Sequence, residues 1–348
     1  MKILVFTDWF LPGTQAGGPT QSLISMMNNF QGEFFVITRN TDHGSITPYD
    51  LETNKWIRHR SNIQIIYFDE SEINRNSIEK IIKDIEPNWI YLNSLWSPIF
   101  TLLPLKVAKK LNISHRVICA PRGMLKPEAL KIKRWKKSFF LIYSKFISLY
   151  SNILWHATSD IEKKEIQIHF GNSSRIRISA NLANLEISHL QSKEKKAQSL
   201  NILTVARVSS EKGILEAAQI LKRWNKPVNW SIIGLLQDKD LVAQVNTVLK
   251  NTLIKHTWQG HLSKENIKPF YRNHHIFFLP TKGENFGHAI AEALSEGLPV
   301  IISDATPWKN LEQYQAGYDL SVANGNFNEV LESYFQMSDV DLFNCSQN

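Results

Sequence analysis

Short apolar runs alternate with amphipathic helical stretches along almost the whole chain, and this alternation starts again in the second half. Alternation of this kind predicts parallel sheets that are covered by helices on both faces. The first half has predicted strands at residues 3–7, 34–38, 63–68, 89–92 and 117–120, with predicted helices at 20–30, 77–85 and 104–111. The second half has predicted strands at 202–206, 230–233, 256–259, 276–279 and 300–303, with predicted helices at 213–223, 238–251 and 285–296.

The two series predict an α/β protein with two Rossmann-like domains. The length of 348 residues is sufficient for two cores of ordinary size. We place the N-terminal domain at residues 1–180, a hinge at 181–200 that includes the polar run 191–199, and the C-terminal domain at 201–348. Ligands of open α/β sheets bind beyond the carboxyl ends of the strands, so the functional residues are expected there.

Charge and composition narrow the choice of partner and compartment. The formal net charge of +8 predicts an anionic partner and leaves nucleic acid, an anionic membrane and a nucleotide ligand open. The two cysteines, Cys119 and Cys345, lie far apart and indicate a reducing compartment without a disulfide framework. The N-terminal apolar run is too short for a signal peptide, and no apolar run is long enough to span a membrane. We therefore expect a cytoplasmic protein. The strongest membrane association that we expect is peripheral contact with the cytoplasmic face of the inner membrane.

A pair of carboxylates, Glu284 and Glu292, carries the most specific signal for a binding site. Seven residues separate them, and the segment leads from a glycine-containing loop into an apolar helical pattern. We expect Glu284 in the loop and Glu292 two turns into the helix, so that both face a ligand at the helix N-terminus. That end offers unpaired N–H groups and positive potential, which suit a diphosphate, while the carboxylates suit sugar hydroxyls.

Two cations precede the first helix of the C-terminal series. Arg207 follows the predicted strand 202–206, and Lys212 stands where the helix begins. Two cations on one loop can reach the same diphosphate. Arg donates two parallel hydrogen bonds to it, and Lys acts as a point charge. Basic residues in a turn are more often solvated surface, but their place before the segment that supplies Glu284 favours the functional interpretation.

Two features of the N-terminal half are candidates for ligand contact. Gly17 and Gly18 follow the first strand and permit close approach of the backbone, although a plain turn explains them equally well. They do not form the Gly-x-Gly-x-x-Gly fingerprint of dinucleotide sites. His156 stands at a strand end, where it either points to a ligand or serves as a satisfied structural histidine. The pair His274–His275 is expected on a surface loop, and no metal site is expected anywhere.

The segment from Lys126 to Tyr150 combines basic residues with aromatic ones at roughly helical spacing. Such a segment is typical of a helix that lies at an anionic membrane surface. The alternatives are a core helix with a solvated basic edge, or a nucleic-acid surface, for which no reader motif is present. Its basic residues are Lys126, Lys131, Lys133, Arg134, Lys136, Lys137 and Lys145.

Taken together, these motifs resemble the retaining glycosyltransferases of family 4, which have the GT-B architecture of two Rossmann-like domains that face each other across a cleft. The resemblance covers nearly the whole chain. It is carried by Glu284 and Glu292 with the following Gly-Leu-Pro-Val-Ile, and by Arg207 with Lys212 and the next glycine. Residues 121–125 and 306–308 are similar to members that build bacterial cell-surface polysaccharides.

The resemblance implies a role for each candidate residue. The donor diphosphate would be held by Arg207 and Lys212 and approached by the backbone of Gly17 and Gly18. The catalytic set that it implies consists of Glu284 on the sugar hydroxyls, His156 against the sugar, and the cations Arg207 and Lys212. The backbone of Asn285, Phe286 and Gly287 would lie by the sugar and phosphates, and Glu292 would bind the ribose.

The activity implied is retaining transfer of a sugar from a nucleotide-sugar to a lipid-linked glycan in O-antigen, capsule or exopolysaccharide synthesis. No metal or other cofactor and no nucleic acid is implied. A sugar-nucleotide epimerase of the same architecture, or a non-catalytic protein that binds sugar-nucleotides or membranes, remain alternatives. Two departures stand out: residues 179–184 replace the usual Pro-Asn-Gly turn, and a polar tail at 338–348 is expected where relatives have a longer helix.

Overall fold

The computed structural model describes residues 1–13, 15–69, 71–131, 134–182 and 199–347. The chain divides into two compact units, Met1–Leu182 and Ala183–Asn348. In each unit the described strands form one sheet that is wholly or almost wholly parallel, with helices between the strands. This arrangement confirms the predicted α/β class with two Rossmann-like domains. Most of the predicted hinge, residues 183–198, lies outside the described residues.

The first unit has eight described strands in the order β3-β4-β2-β1-β5-β6-β7-β8, and all neighbours are parallel except β3 and β4. The strands are β1 Lys2–Phe6, β2 Glu33–Arg39, β3 Trp56–Arg60, β4 Ile63–Phe68, β5 Trp89–Leu92, β6 Val117–Cys119, β7 Leu154–Ala157 and β8 Arg175–Ile178. The helices are α1 Gly18–Asn29, α2 Arg75–Ile85, α3 Leu103–Lys110, α4 Pro127–Lys131, α5 Arg134–Phe146 and α6 Asp160–Phe170.

The second unit has six described strands, all parallel, in the order β11-β10-β9-β12-β13-β14. The strands are β9 Leu200–Val205, β10 Val228–Ile233, β11 Ile254–Gly260, β12 Ile276–Leu279, β13 Val300–Ser303 and β14 Gly317–Leu320. The helices are α7 Ile214–Trp224, α8 Lys239–Leu249, α9 Lys264–Asn273, α10 His288–Ser295, α11 Phe327–Gln336 and α12 Asp339–Gln347.

Alternating side chains on the central strands build a core on each face of both sheets. In β1, Leu4 and Phe6 join one buried cluster, while Ile3 and Val5 join another. Strand side chains alternate between the two faces, so a strand that is covered on both sides is a continuous apolar run. The same division separates Ile202 from its neighbour Leu203 in β9. This is why the strands of the sheet centres were predictable from short apolar runs.

Several expectations about local structure are wrong. The helix predicted at 285–296 begins only at His288, because Gly287 before it takes a left-handed conformation with φ 77°. The residues expected to form a polar tail contain α12. His274 and His275 are buried, not on a surface loop: a His274 ring nitrogen lies 2.9 Å from Ser231 Oγ, and His275 accepts from the Asn201 amide at 3.0 Å.

Helix α5 exposes an apolar ridge. Its side chains Leu141 and Ser144 are buried, but five large apolar ones on the helix are between 50% and 87% exposed, namely Trp135, Phe139, Ile142, Tyr143 and Phe146. The alternative interpretation as a core helix is therefore wrong for these five side chains, whereas Phe140 packs against the core and Leu149 and Tyr150 are buried. Of the predicted basic residues, Lys133 lies outside the described part of the chain. No helix among the described residues is long and apolar enough to cross a bilayer.

Candidate active site

Two loops of the second unit leave the sheet at the carboxyl ends of neighbouring strands. The register pairs Ile202 of β9 with Ile276 of β12, and both strands end at the same edge of the sheet. The loop after β9 carries Arg207 and Lys212, and the loop after β12 carries Glu284. Because the strands are parallel neighbours, residues that are 72 positions apart meet at the edge where α/β proteins bind ligands.

Lys212 and Glu284 form an ion pair between these loops. Lys212 Nζ lies 2.5 Å from Glu284 Oε1, and the side chains are only 14% and 16% exposed. The loops are also joined at the Glu211 carbonyl, which accepts from the Thr281 hydroxyl at 3.0 Å and from the Lys282 amide at 2.8 Å. Such a partly shielded pair is screened less by salt than an exposed one.

Gly213 permits this close approach of the two loops. It follows a turn of 3₁₀ helix at Ser210–Lys212 and has a φ of 68°, a conformation that disfavours residues with a side chain. A Cβ atom at this position would lie 1.9 Å from the Pro280 carbonyl oxygen. Glycine is therefore required on both grounds, and the Lys212-Gly213 sequence fixes how near Lys212 comes to Glu284.

Arg207 is held more loosely than Lys212. Its guanidinium lies 3.7 Å from the Glu211 carboxylate, and 47% of the side chain is exposed. Exposed ion pairs contribute little to stability, so an incoming anion can compete for Arg207 at small cost. The loop thus carries one fixed cation and one adaptable cation.

The loop before α10 is pinned to the loop after β13. The Glu284 amide donates to the Ala305 carbonyl at 3.1 Å, and Trp308 Nε1 donates to the Phe286 carbonyl at 2.5 Å. The Phe286 ring packs between His288 and Trp308, with centroid distances of 4.7 and 5.6 Å. Helix α10 begins without a side-chain cap, so its positive end is placed to receive an anion.

Glu292 lies one turn into α10, not two as expected, because the helix begins later than predicted. Its Oε2 accepts a hydrogen bond from the Tyr271 hydroxyl at 2.9 Å. Tyr271, on α9, is buried, and burial followed by the Glu292 charge raises its pKa well above the ordinary value. The phenol therefore stays protonated and acts as a donor that orients the Glu292 carboxylate.

His156 belongs to a hydrogen-bonded chain in the first unit. Its Nε2 lies 2.9 Å from the Ser179 carbonyl, which can only accept, so Nε2 carries a proton. Burial lowers the pKa of His156, and the Arg122 guanidinium lowers it further. The ring is therefore neutral, and Nδ1 accepts from the Tyr91 hydroxyl at 2.6 Å. Both ring nitrogens of His156 are therefore hydrogen-bonded within the first unit. This arrangement matches the alternative interpretation of His156 as a structural histidine.

Arg122 is the central donor of this chain and was not predicted as a site residue. It donates from Nη2 to the Tyr91 hydroxyl and from Nε to Asn93 Oδ1, both at 2.9 Å, and also to Asn181. Its φ of 55° is unusual for a residue with a side chain, which no sequence pattern reveals. Asn93 in turn donates to the Pro19 carbonyl at 3.4 Å, just after Gly17 and Gly18.

The predicted site residues thus form two groups. One group lies on loops and a helix of the second unit and contains Arg207, Lys212, Glu284, Asn285, Phe286, Gly287 and Glu292. The other lies in the first unit and contains Gly17, Gly18 and His156, with Gly17 at a φ of 69° and Gly18 as the first residue of α1. Among the described residues, no three His, Cys, Asp or Glu side chains are grouped to hold a metal ion.

Part of the second unit is similar to a known protein family. Residues 187–318 match the family model described as glycosyl transferases group 1, and this range includes Lys212, Glu284 and Glu292. This range is less than half of the chain. The chain is also 32% identical over 127 residues to the amylovoran biosynthesis glycosyltransferase AmsK of Erwinia amylovora, which is 33% of this chain and 30% of that protein. The match therefore spans less than a third of the length of this relative.

Solved structures match nearly the whole chain. Sucrose-phosphate synthase from Thermosynechococcus elongatus has a TM-score of 0.67 at 15% identity, covering 99% of this chain and 94% of that one. Anabaena HepE in complex with UDP-glucose has a TM-score of 0.64 at 17% identity, with coverage of 100% and 94%. WaaG, described as involved in lipopolysaccharide biosynthesis, has a TM-score of 0.63 at 11% identity, with coverage of 100% and 94%. At these identities the likeness shows the fold, which is GT-B.

Proposed function

We propose that this protein is a retaining glycosyltransferase of family 4 that transfers a sugar from a nucleotide-sugar donor to a lipid-linked glycan in cell-surface polysaccharide synthesis. The observation that carries the proposal is the Lys212–Glu284 ion pair at the ligand-binding edge of the second unit, within the range that matches the group 1 model. The names of the relatives support the substrate class, since they include an amylovoran biosynthesis enzyme, a lipopolysaccharide biosynthesis enzyme and a protein in complex with UDP-glucose.

The donor diphosphate binds to Lys212 and Arg207 and to the N-terminal end of α10. When the bond between the anomeric carbon and the phosphate oxygen breaks, the electron pair remains on the diphosphate. Lys212 is already fixed by Glu284 and needs little rearrangement to stabilise that charge. Preorganised groups of this kind are worth about 3 kcal/mol of the activation barrier each. In this proposal the cations replace a divalent metal, and no metal cofactor takes part.

The two carboxylates bind the uncharged parts of the donor. Glu284 accepts hydrogen bonds from sugar hydroxyls near the reacting carbon, beside the backbone of Asn285, Phe286 and Gly287. Glu292 accepts from the ribose, and the Tyr271 hydroxyl supports this role because it fixes one carboxylate oxygen. The proton of the acceptor hydroxyl passes to the leaving phosphate, so that the new bond forms on the face from which the phosphate departs. A contact between His156 and the donor sugar stays a prediction.

The lipid-linked acceptor requires access to a membrane, and we assign this task to α5. Its exposed aromatic ridge lies among the basic residues Arg134, Lys136, Lys137 and Lys145, and its sequence contains no acidic residue. A helix of this composition inserts its apolar side chains at the lipid boundary while its cations meet anionic headgroups. The protein would then act at the cytoplasmic face of the inner membrane.

A conservative substitution at Glu284 tests the proposed chemistry. Glu284→Gln keeps the shape of the side chain, and we expect it to reduce transfer by at least about a hundredfold, the scale of losing one preorganised group. The control is Glu216→Gln, because Glu216 also pairs with a lysine of the same region, Lys282, at 2.8 Å. The assay measures release of nucleoside diphosphate from UDP-, GDP-, ADP- and TDP-sugars, with EDTA present, with and without a membrane lipid extract.

The outcomes separate the competing functions. Release that depends on the lipid extract and is lost in Glu284→Gln supports transfer. Chromatography of the same reactions would reveal a converted donor sugar without any acceptor if the protein were an epimerase. Thermal stabilisation by the donor without release of nucleoside diphosphate would indicate a non-catalytic protein. Full release by the Glu284→Gln variant would remove this carboxylate from the mechanism.

A further inference from the structure

A cavity of about 290 Å³ lies in the first unit, apart from the residues discussed so far. Four cationic side chains line it, Arg75, Lys106, Lys109 and Lys110, together with the apolar Ile147 and Leu149. No acidic side chain lines it. The cavity therefore has the chemistry of an anion site with an apolar wall.

The placement of these cations is in part unfavourable when no anion is bound. Lys106, Lys109 and Lys110 lie on one face of α3, at spacings of three and four residues, where like charges repel each other. Arg75 is the first residue of α2, and the first turn of that helix contains no acidic residue. A cation at this end opposes the helix dipole. Lys109 and Lys110 stand in the last turn of α3, where the helix dipole favours cations, so local structure accounts for these two but not for Arg75 and Lys106.

The partners of the cations compensate only part of that charge. Lys110 shares the Glu79 carboxylate with Lys83, at 2.8 and 2.9 Å. Lys109 Nζ donates to the carbonyls of Ile147 and Ser148, at 2.6 and 3.2 Å. This last contact ties α3 to the chain that leaves α5.

The cavity adjoins the exposed apolar ridge of α5. Ile147, which lines the cavity, directly follows Phe146, the last residue of α5, and Phe146 is 87% exposed. A bilayer that receives the end of this ridge brings its phosphate layer to the cations of the cavity. Interfacial helices bury their apolar face at the boundary between headgroups and acyl chains, so headgroup phosphates lie beside them.

We propose that this cavity binds the phosphate of an anionic glycerophospholipid when α5 enters the membrane surface. The inference rests on the membrane contact that the proposed function assigns to α5, but not on the transfer chemistry. Bound lipid would hold the first unit in one orientation at the membrane. A bilayer of zwitterionic phosphatidylcholine has no net negative charge to attract the cations, so it would bind the protein more weakly.

The test compares two charge-matched double variants in vesicle sedimentation. Arg75→Gln with Lys106→Gln removes two cations from the cavity and leaves Lys109 and Lys110 with their partners. The control, Arg175→Gln with Arg177→Gln, removes two exposed cations from another basic cavity of the same unit, which α5 does not line. Vesicles consist of phosphatidylcholine, with or without phosphatidylglycerol.

For vesicles that contain phosphatidylglycerol, we expect the cavity variant to bind about thirtyfold more weakly than the wild type. The control variant should stay within about threefold, because cations far from the lipid surface are screened. Equal losses in both variants, or no loss in the cavity variant, would overturn the proposal. Displacement by inorganic phosphate at constant ionic strength would also overturn it, because the site would then be one for soluble anions.

Failure of the underlying function has a different signature. If the wild type sediments with neither kind of vesicle, the membrane contact of α5 is wrong and the lipid site is excluded with it. If lipid-dependent transfer is absent while the difference between the variants persists, the transferase proposal is wrong and the lipid site stands.

Discussion

At the scale of single residues, the two predicted charge groups of the second unit differ in how firmly they are held. Lys212 and Glu284 are partly shielded and 2.5 Å apart, whereas Arg207 is half exposed and 3.7 Å from its partner. When one member of a shielded ion pair is removed, little water is available to solvate the charge that remains. When one member of an exposed pair is removed, water solvates the remaining charge. We therefore interpret Lys212 as the fixed part of the diphosphate site and Arg207 as the part that adapts.

His156 makes the stability of the first unit depend on pH. Its pKa in the folded protein is lowered from 6.5, first by burial and then by Arg122. Between the folded pKa and 6.5 the unfolded chain binds more protons, so the stabilisation is full above pH 6.5 and is lost as pH falls through the folded pKa. We expect the stability difference between wild type and His156→Gln to narrow on acidification.

Urea denaturation of both proteins from neutral to acidic pH measures this difference. Other histidines with lowered pKa values, such as His59 and His256, are present in both proteins and cancel. A difference that is constant over this pH range would mean that His156 is not held neutral by its surroundings.

The sequence predicted Lys212 and Glu284 at one ligand site, but neither their ion pair nor the chain around His156. The former follows from parallel neighbouring strands, whose loops leave at a common edge. The latter depends on Arg122, which reaches Tyr91 from 31 positions away through an unusual backbone conformation. Neither a long-range side-chain contact nor a positive φ produces a periodic pattern in a single sequence. This network could therefore be found only in the structure.

At the scale of elements, Gly287 decides where α10 begins. With a φ of 77°, it ends the loop that carries Glu284 and starts the helix that carries Glu292. A Cβ atom there would lie 2.7 Å from Ile290 Cδ1, inside the first turn of the helix. We therefore expect Gly287→Ala both to destabilise the second unit and to displace the N–H groups that face the donor.

Gly260→Ala is the matched control in the same unit. Gly260 has a similar φ of 67°, but nothing lies within 4 Å of an added Cβ. Both variants should lose about 1–2 kcal/mol of stability through the left-handed conformation. Only Gly287→Ala should also weaken donor binding, as measured by calorimetry with the nucleotide-sugar that the wild type prefers. Equal donor affinity in the two variants would contradict a role for the α10 N-terminus.

Helix α5 is the element whose exposed surface is hardest to explain for a protein that stays in water. Replacing Phe139 and Phe146 by serine removes two side chains that are 70% and 87% exposed. We expect the double variant to lose binding to anionic vesicles while its thermal stability stays within about 0.5 kcal/mol of the wild type. The control replaces two exposed side chains of α6 by serine in the same way, namely Ile161 and Ile168, which are 68% and 74% exposed.

Vesicle sedimentation and thermal denaturation of both double variants provide the comparison. Retention of full vesicle binding after loss of the two phenylalanines would exclude α5 as the membrane contact. An equal loss in the α6 variant would mean that exposed apolar area in general, and not this helix, governs the interaction.

Interrupted apolar patterns explain three strands and one helix that sequence analysis missed. Strands β3, β8 and β14 lie at sheet edges, where one side of the strand has no neighbour and the apolar run is interrupted by polar residues. Helix α9 contains Pro269 and many polar residues, which obscured its helical pattern. Periodicity reports burial, so it predicts continuous apolar strands well and missed these interrupted edge strands, although it predicted the edge strand β11.

At the scale of the whole molecule, the chain combines two Rossmann-like units with different surfaces. The second unit presents the ion pair of Lys212 and Glu284 within the range that matches the glycosyl transferases group 1 model. The first unit presents the exposed α5 ridge and the cavity that Arg75 and Lys106 help to line. The net charge of +8 is thus accounted for by two kinds of anionic partner, a sugar-nucleotide and a lipid surface, in the function that we propose.

The fold could be predicted from the sequence because it depends on alternating apolar runs that occur many times over. The donor site could be predicted in part, because Arg207, Lys212 and Glu284 sit at fixed places relative to those runs. The supporting residues Tyr271 and Trp308 could not be predicted. They come from α9 and from the loop after β13, and their contacts depend on packing between distant segments.

The central claim is that the cations of the second unit bind the diphosphate of a nucleotide-sugar. Thermal denaturation with UDP-, GDP-, ADP- and TDP-sugars, for the wild type and for Arg207→Ala with Lys212→Ala, tests it most directly. For the wild type, we predict that one class of donor stabilises the protein by about 2.7 kcal/mol when present at a hundred times its dissociation constant. The double variant should show almost none of this stabilisation at the same concentration. No stabilisation of the wild type by any donor, or equal stabilisation of both proteins, would contradict the claim.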